Sequence, residues 1–161
     1  MSPLERKRAL REELVARLAS QLDAARHAHQ SAIEGATHEQ ARAENDKDTR
    51  GLEQSYLARG HSARIADLEV AVTAVRALAL RTLTADQPVA LGALVVVGEE
   101  GRRLSCFVAS HGGGETLAGG TVQVVTPRSP LGVALFGKQP GDVVELRLAG
   151  RQRELEIVGI E

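Results

Sequence analysis

Leu10, Leu14, Leu18 and Leu22 recur every four residues, with Val15 beside them. Further along, Ile65, Leu68, Val72, Val75 and Ala79 are spaced three, four, three, four. Narrow apolar stripes of this kind suit one partner helix rather than a broad core face. A single polar break separates the two patterns. The chain is therefore expected to run out along one helix, from Leu4 to about Gln40, and to return along another, from about Leu52 to Leu83. The turn of this antiparallel hairpin falls in Glu44-Asn45-Asp46-Lys47-Asp48-Thr49, which packs three carboxylates into five residues. A helix of roughly 35 residues holds such a tip about 50 Å from its base.

The hairpin reads as strong at its base and thin further out. Ser2 can cap the first helix, Pro3 suits its first position, and Glu5 complements the positive end of the dipole. Beyond Leu22 the stripe dwindles to Ala25, Ala28, Ala32 and Ile33, which contribute little burial each. Gly35 is expected to bend or end the helix, with a restart near Thr37. His27, His29 and His38 read as solvent-exposed, because no acidic or cysteine partner completes a metal set. In the return helix, Gly60 marks a weak patch. Val70 and Leu78 widen the apolar surface near the base, a face expected to pack on a second domain.

At Asp86-Gln87-Pro88 the pattern changes, since Pro88 cannot continue a helix. Val89 to Val97 reads as a nearly unexposed strand, and Leu104 to Val108 as its hairpin partner across a turn at Gly98–Gly101. His111-Gly112-Gly113-Gly114 is expected to bridge two strands, since no phosphate-loop context follows it. Thr121 to Thr126 is a third strand. Ser129, Pro130 and Gly137 bound a helix of about two turns, with Leu131, Leu135 and Phe136 facing the sheet. Two alternating strands follow, Val143–Leu148 and Glu154–Val158. The expected fold class is α+β: an antiparallel helical hairpin over residues 1–86, and a mainly antiparallel sheet domain with one short helix over 87–161.

Composition excludes several functions. The net charge is −1, so there is no basic excess to make an electrostatic case for direct DNA or RNA binding, and no sequence-specific DNA binding is expected. Aromatic residues make up 2% of the chain, too few for base-stacking platforms. Cys106, alone in an apolar run, reads as a buried core thiol. A reducing, cytoplasmic location fits, with no signal peptide and no membrane span.

The tip carries the chemistry. Its plain reading is a solvated loop with Asp48 or Thr49 capping the next helix. Its functional reading is a cation site, since hard ions such as Mg²⁺ take carboxylate oxygen and need few protein ligands when another molecule supplies the rest. The spacing excludes an EF-hand.

The block Ser129-Pro130-Leu131-Gly132-Val133-Ala134-Leu135-Phe136-Gly137-Lys138, followed by Gly141-Asp142-Val143-Val144, resembles the C-terminal signature of bacterial transcript-cleavage factors of the GreA/GreB family. Arg64-Ile65-Ala66-Asp67-Leu68-Glu69 is similar to that family's return-helix segment. The resemblance implies an FKBP-like sheet domain that docks at the rim of the RNA polymerase secondary channel, through Ser129, Pro130, Gly137 and Lys138. It implies that the hairpin enters the channel. There Glu44, Asp46 and Asp48 assist the polymerase active site, with Asp46 and Glu44 sharing its Mg²⁺ only in the complex. The polymerase then cuts backtracked RNA near the 3′ end; the protein is not itself an enzyme and has no cofactor of its own. Arg42, Lys47 and Arg50 are candidates for contact with RNA or polymerase carboxylates.

The tip departs from the family pattern. Its carboxylates are two residues apart rather than three, Lys47 falls where the second carboxylate belongs, and the family's tyrosine is missing there. A non-cleaving regulator or inhibitor in the same channel is therefore the alternative. A prolyl isomerase on the FKBP-like domain needs an aromatic-lined pocket, and this domain has only Phe107 and Phe136.

Overall fold

The computed structural model describes the backbone of residues 1–42 and 49–161, and the side chains of 1–35 and 59–161. Two helices, α1 (Pro3–Arg42) and α2 (Thr49–Arg76), precede six strands. The strands are β1 (Leu94–Glu99), β2 (Arg102–Val108), β3 (Thr116–Leu117), β4 (Val122–Val125), β5 (Val143–Leu148) and β6 (Arg151–Ile160). A short helix, α3 (Pro130–Leu135), lies between β4 and β5. The chain forms two compact units, Met1–Ala16 with Thr73–Glu161, and Arg17–Val72.

The first unit is built on a six-stranded sheet of order β3-β4-β2-β1-β6-β5. Every neighbouring pair is antiparallel except β2 and β4. Strand alternation sorts the buried residues onto two faces. Val95, Val97, Cys106, Val108, Leu155 and Ile157 join Leu131 and Leu135 of α3 in one core. Leu94 and Phe107, paired across β1 and β2, point the opposite way and are also fully buried. Two-residue turns at Glu100-Gly101 and Ala149-Gly150 close the β1–β2 and β5–β6 hairpins with positive φ. The register of β6 shifts between Val96 and Val97, which skips Val158 and leaves it half exposed.

The base of α1 belongs to this unit. Ser2 and Glu5 form a reciprocal capping box: Glu5 N–H donates to Ser2 Oγ at 3.2 Å, and Ser2 N–H donates to Glu5 Oε2 at 2.7 Å. These bonds hold the Glu5 carboxyl below its ordinary range. Leu14 is fully buried, and its methyl lies where a side chain on Gly112 would sit, 2.7 Å from an ideal Cβ. Glu13 Oε2 accepts from the Ala118 N–H at 2.9 Å. The glycine run of the β2–β3 connection is thus the seat of α1.

The return helix ends at Arg76, earlier than its pattern suggests. The carbonyls of Leu78 and Arg81 accept from Arg11 Nη1 and Lys7 Nζ, each at 2.9 Å, instead of from helix amides. Leu78 N–H bonds to Val75 O, a tight final turn. Leu78 is buried while Ala79 is exposed, so Leu78 rather than Ala79 follows Val75 in the seam. Lys7 is fully buried; burial lowers its pKa, and Glu161 opposes that shift. A second correction concerns Val89–Ala93. These residues are not strand, because Ala93 N–H closes a turn on Ala90 O and Val89 N–H pairs with Lys138 O.

The second unit is the helical pair. Leu18, Leu22, Leu68, Ala71 and Val72 are buried, and no described residue of α1 beyond Leu22 is. Arg26 bridges to Glu69 at 3.0 Å. Gly35 and Gly60 both lie within continuous helix, so α1 does not end at Gly35. Val70 is 59% exposed, against the expectation that it would pack. The tip residues Glu44, Asp46 and Asp48 lie outside the described residues.

Leu14→Ala is expected to cost about 2–5 kcal/mol in urea unfolding, the range for a truncated core leucine. Gly112→Ala should lower stability more than Gly114→Ala. Both glycines have positive φ, but only Gly112 faces Leu14 at close range. Equal losses would show that the seat tolerates a side chain.

Candidate functional site

The Ser129–Val144 block forms a small, heavily cross-tied structure around α3. Ser129 caps the helix and spends its hydroxyl locally. It donates to Thr126 O at 2.8 Å and accepts from the amides of Gly132 at 3.1 Å and Thr126 at 3.2 Å. Pro130 occupies the first turn, where its missing N–H has no helical partner to lose. Gly132 lies so close to this loop that an added Cβ would sit 1.6 Å from Thr126 O. Past the helix, Gly137 has φ +79 and its N–H donates to Val89 O at 2.8 Å. Asp142 closes the next turn by accepting from Gln139 N–H at 2.8 Å. Its backbone carbonyl takes the Ile157 N–H at 2.9 Å, which ties the turn to β6.

Of the predicted docking residues, Ser129 is half-buried and committed to its own turn, while Pro130, Gly137 and Lys138 are exposed. Exposed apolar residues that the sequence did not reveal lie in the same block. Val133 is 63% exposed, Phe136 44% and Val143 60%. Val133 lies on α3 and Phe136 at its end, whereas Val143 starts β5, the edge strand against which α3 packs, and alternates with the core residue Val144, so it points to the opposite face of the sheet. Phe136 was expected to face the sheet. The helix stops at Leu135, and Phe136 leaves it with extended backbone, so its ring is not carried onto the buried stripe of Leu131 and Leu135. The brevity of this helix, bounded by Ser129 and Gly137, was the available signal.

Cys106 is buried, and burial pushes its thiol up to about 12, as expected of a structural cysteine. At the ends of two hairpins, Arg153 makes a two-pronged pair with Glu99, with Nε at 2.7 Å from Oε1. This pair holds the Glu99 carboxyl below its ordinary range. Within the helical unit His29 and His61 face each other, their ring centroids 6.1 Å apart. The expectation of exposed histidines therefore fails for His29, which is half-buried; His27 is exposed, and His38 lies among residues whose side chains are not described. The tip carboxylates, Lys47, and the side chains of Arg42 and Arg50 also fall outside the described residues. No cluster of three or more His, Cys, Asp or Glu is placed for a metal among the described residues. No helix is long and apolar enough to cross a membrane there.

Residues 86–161 match the family model for transcription elongation factor GreA/GreB, C-terminal domain. GreA factor homolog 1 (Gfh1) of Thermus thermophilus is 30% identical, over 91% of this chain and 94% of its own, with a TM-score of 0.40. The chain belongs to the GreA/GreB family. Membership rests on the family match and on this identity across nearly the whole length. Gfh1 of Thermus aquaticus is also 30% identical, over 91% of this chain and 92% of its own, with a TM-score of 0.41. The prokaryotic transcription elongation factor GreA/GreB from Nitrosomonas europaea is 19% identical, over 67% of this chain and 90% of its own, with a TM-score of 0.38. A search of curated proteins returned no match. The chain is thus a GreA/GreB-like transcription elongation factor, and the matched residues 86–161 include the Ser129–Val144 block.

Ser129→Ala is expected to cost about 0.5–2 kcal/mol, the range for a lost helix cap. Gly132→Ala should cost more, since the added methyl overlaps backbone that cannot move without breaking the same turn. Urea titrations of both variants test this order; a larger loss for Ser129→Ala would mean that the Thr126 carbonyl yields easily.

Proposed function

We propose that this protein binds RNA polymerase through the α3 face, inserts its helical hairpin into the secondary channel, and stimulates cleavage of backtracked RNA. The observation that supports docking is the exposure of Val133 on α3 and of Phe136 at its exit, in the same block as the exposed Pro130 and Lys138. Exposed apolar residues grouped on one face favour burial against a partner. The half-buried cap at Ser129, with three hydrogen bonds in its own turn, fixes the start of α3, so that little ordering is required on association.

The chemistry belongs to the polymerase. Cleavage of RNA by a two-metal mechanism needs one ion to activate the attacking water and a pair to stabilise the attacking and leaving oxygens. Glu44, Asp46 and Asp48 offer hard oxygen donors of the type that Mg²⁺ takes. Asp46, assisted by Glu44 or Asp48, is assigned to a shared ion, raising the occupancy of a site that the polymerase holds weakly on its own. The acidic segment lies in the connection between two long helices, a position that suits delivery into a narrow channel.

One observation favours a second reading. Lys47 stands where the family pattern calls for a second carboxylate, and a cation there opposes metal recruitment. Under that reading the protein occupies the same channel and restrains the active site without cleavage.

Halted, backtracked polymerase mixed with this protein and Mg²⁺ should release short 3′ RNA fragments. Asp46→Ala should reduce the release at least about tenfold with unchanged polymerase affinity, as expected for a group acting only on the reacting complex. Binding without any release selects the regulator, and absence of binding removes both readings. Docking has its own test. Val133→Asp and Phe136→Asp should each weaken polymerase binding while melting stays within about 0.5 kcal/mol of wild type, as exposed positions allow. Unchanged affinity in both variants places the docking surface elsewhere.

A further inference from the structure

The seam between the two helices of the second unit runs on α1 through Leu18, Leu22, Ala25, His29 and Ala32, spaced four, three, four, three. On α2 it runs through His61, Ile65, Leu68 and Val72 in the same rhythm. All these residues are buried or half-buried, while the charged residues between them are exposed. His29 and His61 therefore occupy core positions of the coiled coil. Their rings form a T-shaped pair at an interplanar angle of 69°. The Nδ1 atom of each is buried and has no hydrogen-bond partner among the described residues. His27, two residues away on the exposed face, has its Nδ1 2.8 Å from Asp23 O.

Two unpartnered ring nitrogens in a seam reduce stability relative to an apolar pair. The ring separation says what could join them. A direct N–H···N bond of about 2.9 Å, with about 1.1 Å from each nitrogen to its ring centre, spans at most about 5.1 Å. A metal ion with two bonds of about 2.0–2.1 Å spans about 5.2 Å at a tetrahedral angle and about 6.3 Å when the ligands are opposed. The observed 6.1 Å lies beyond the hydrogen bond and inside the metal range.

We propose that His29 and His61 form a two-imidazole site that binds one divalent transition-metal ion across the hairpin, with water completing its shell. Neutral imidazole selects zinc- and copper-class ions over Mg²⁺ or Ca²⁺. Bound metal links the helices where the seam has thinned to alanine, beyond the last buried leucine of α1. The site is separate from the tip carboxylates and does not depend on the polymerase reading.

The test uses the full chain stripped of metal with EDTA, with Zn²⁺ as the probe. Calorimetry should give one ion per chain, and thermal melting followed by circular dichroism should rise with Zn²⁺. His29→Ala and His61→Ala should each weaken binding at least about tenfold, since even a lost outer partner costs 10–100-fold at a metal site. His27→Ala should bind as wild type. The double variant His29→Leu with His61→Leu guards against a mere folding defect: it should melt higher than wild type without metal and no longer respond to Zn²⁺. Wild-type protein that takes up no Zn²⁺, or a His29→Ala variant that binds it undiminished, overturns the proposal.

Discussion

Everything in the first unit hangs on how the base of α1 is held. Leu14 fills the space above Gly112, Glu13 satisfies the amide of Ala118, and the side chains of Arg11 and Lys7 take the carbonyls of Leu78 and Arg81. These contacts are chemically mixed, and each does a different task. The leucine supplies burial. The carboxylate satisfies a loop amide that would otherwise be left to water. The two cations supply donors to a stretch of backbone that has just left a helix and has lost its regular partners. Burying an ammonium is costly, and Lys7 tolerates it through the Arg81 carbonyl and the nearby negative charge of Glu161.

The elements differ in how securely they are held. The sheet is closed by hairpin turns on one side and by a parallel pairing of β2 and β4 on the other, with a core on each face. The helical pair is a single seam whose described leucines end at Leu22 on one helix and begin at Leu68 on the other.

Much of this was legible in the sequence because it rests on local chemistry. Ser129, Pro130 and Gly137 mark a helix whose ends they also stabilise, and the leucine spacing marks one that needs one partner. Pro88 and the shift to β-branched residues separate helix from sheet. Illegible features were those set by distant residues. Nothing near Ala77–Leu83 signals an early end to α2, because the residues that take its carbonyls are Arg11 and Lys7, some seventy positions away. Val89–Ala93 has the composition of a strand, but Leu91 is exposed and the amides of Val89, Gly92 and Ala93 pair with Lys138, Val108 and Ala90 in turn. The opposition of His29 and His61 depends on hairpin register, which neither helix encodes alone. Phe136 misled for a simpler reason: one residue decides whether a side chain belongs to a two-turn helix or to its exit.

Leu14 and Gly112 touch although nearly a hundred residues lie between them. In synthesis the first helix emerges long before the loop that receives it, so the opening segment cannot settle until the β2–β3 connection has been made. The helical pair, whose partners are nearer in sequence, has no such delay. A fragment cut near the family boundary at residue 86 loses Leu14 and Glu13 together, leaving the glycine run without its plug and the Ala118 amide without its acceptor.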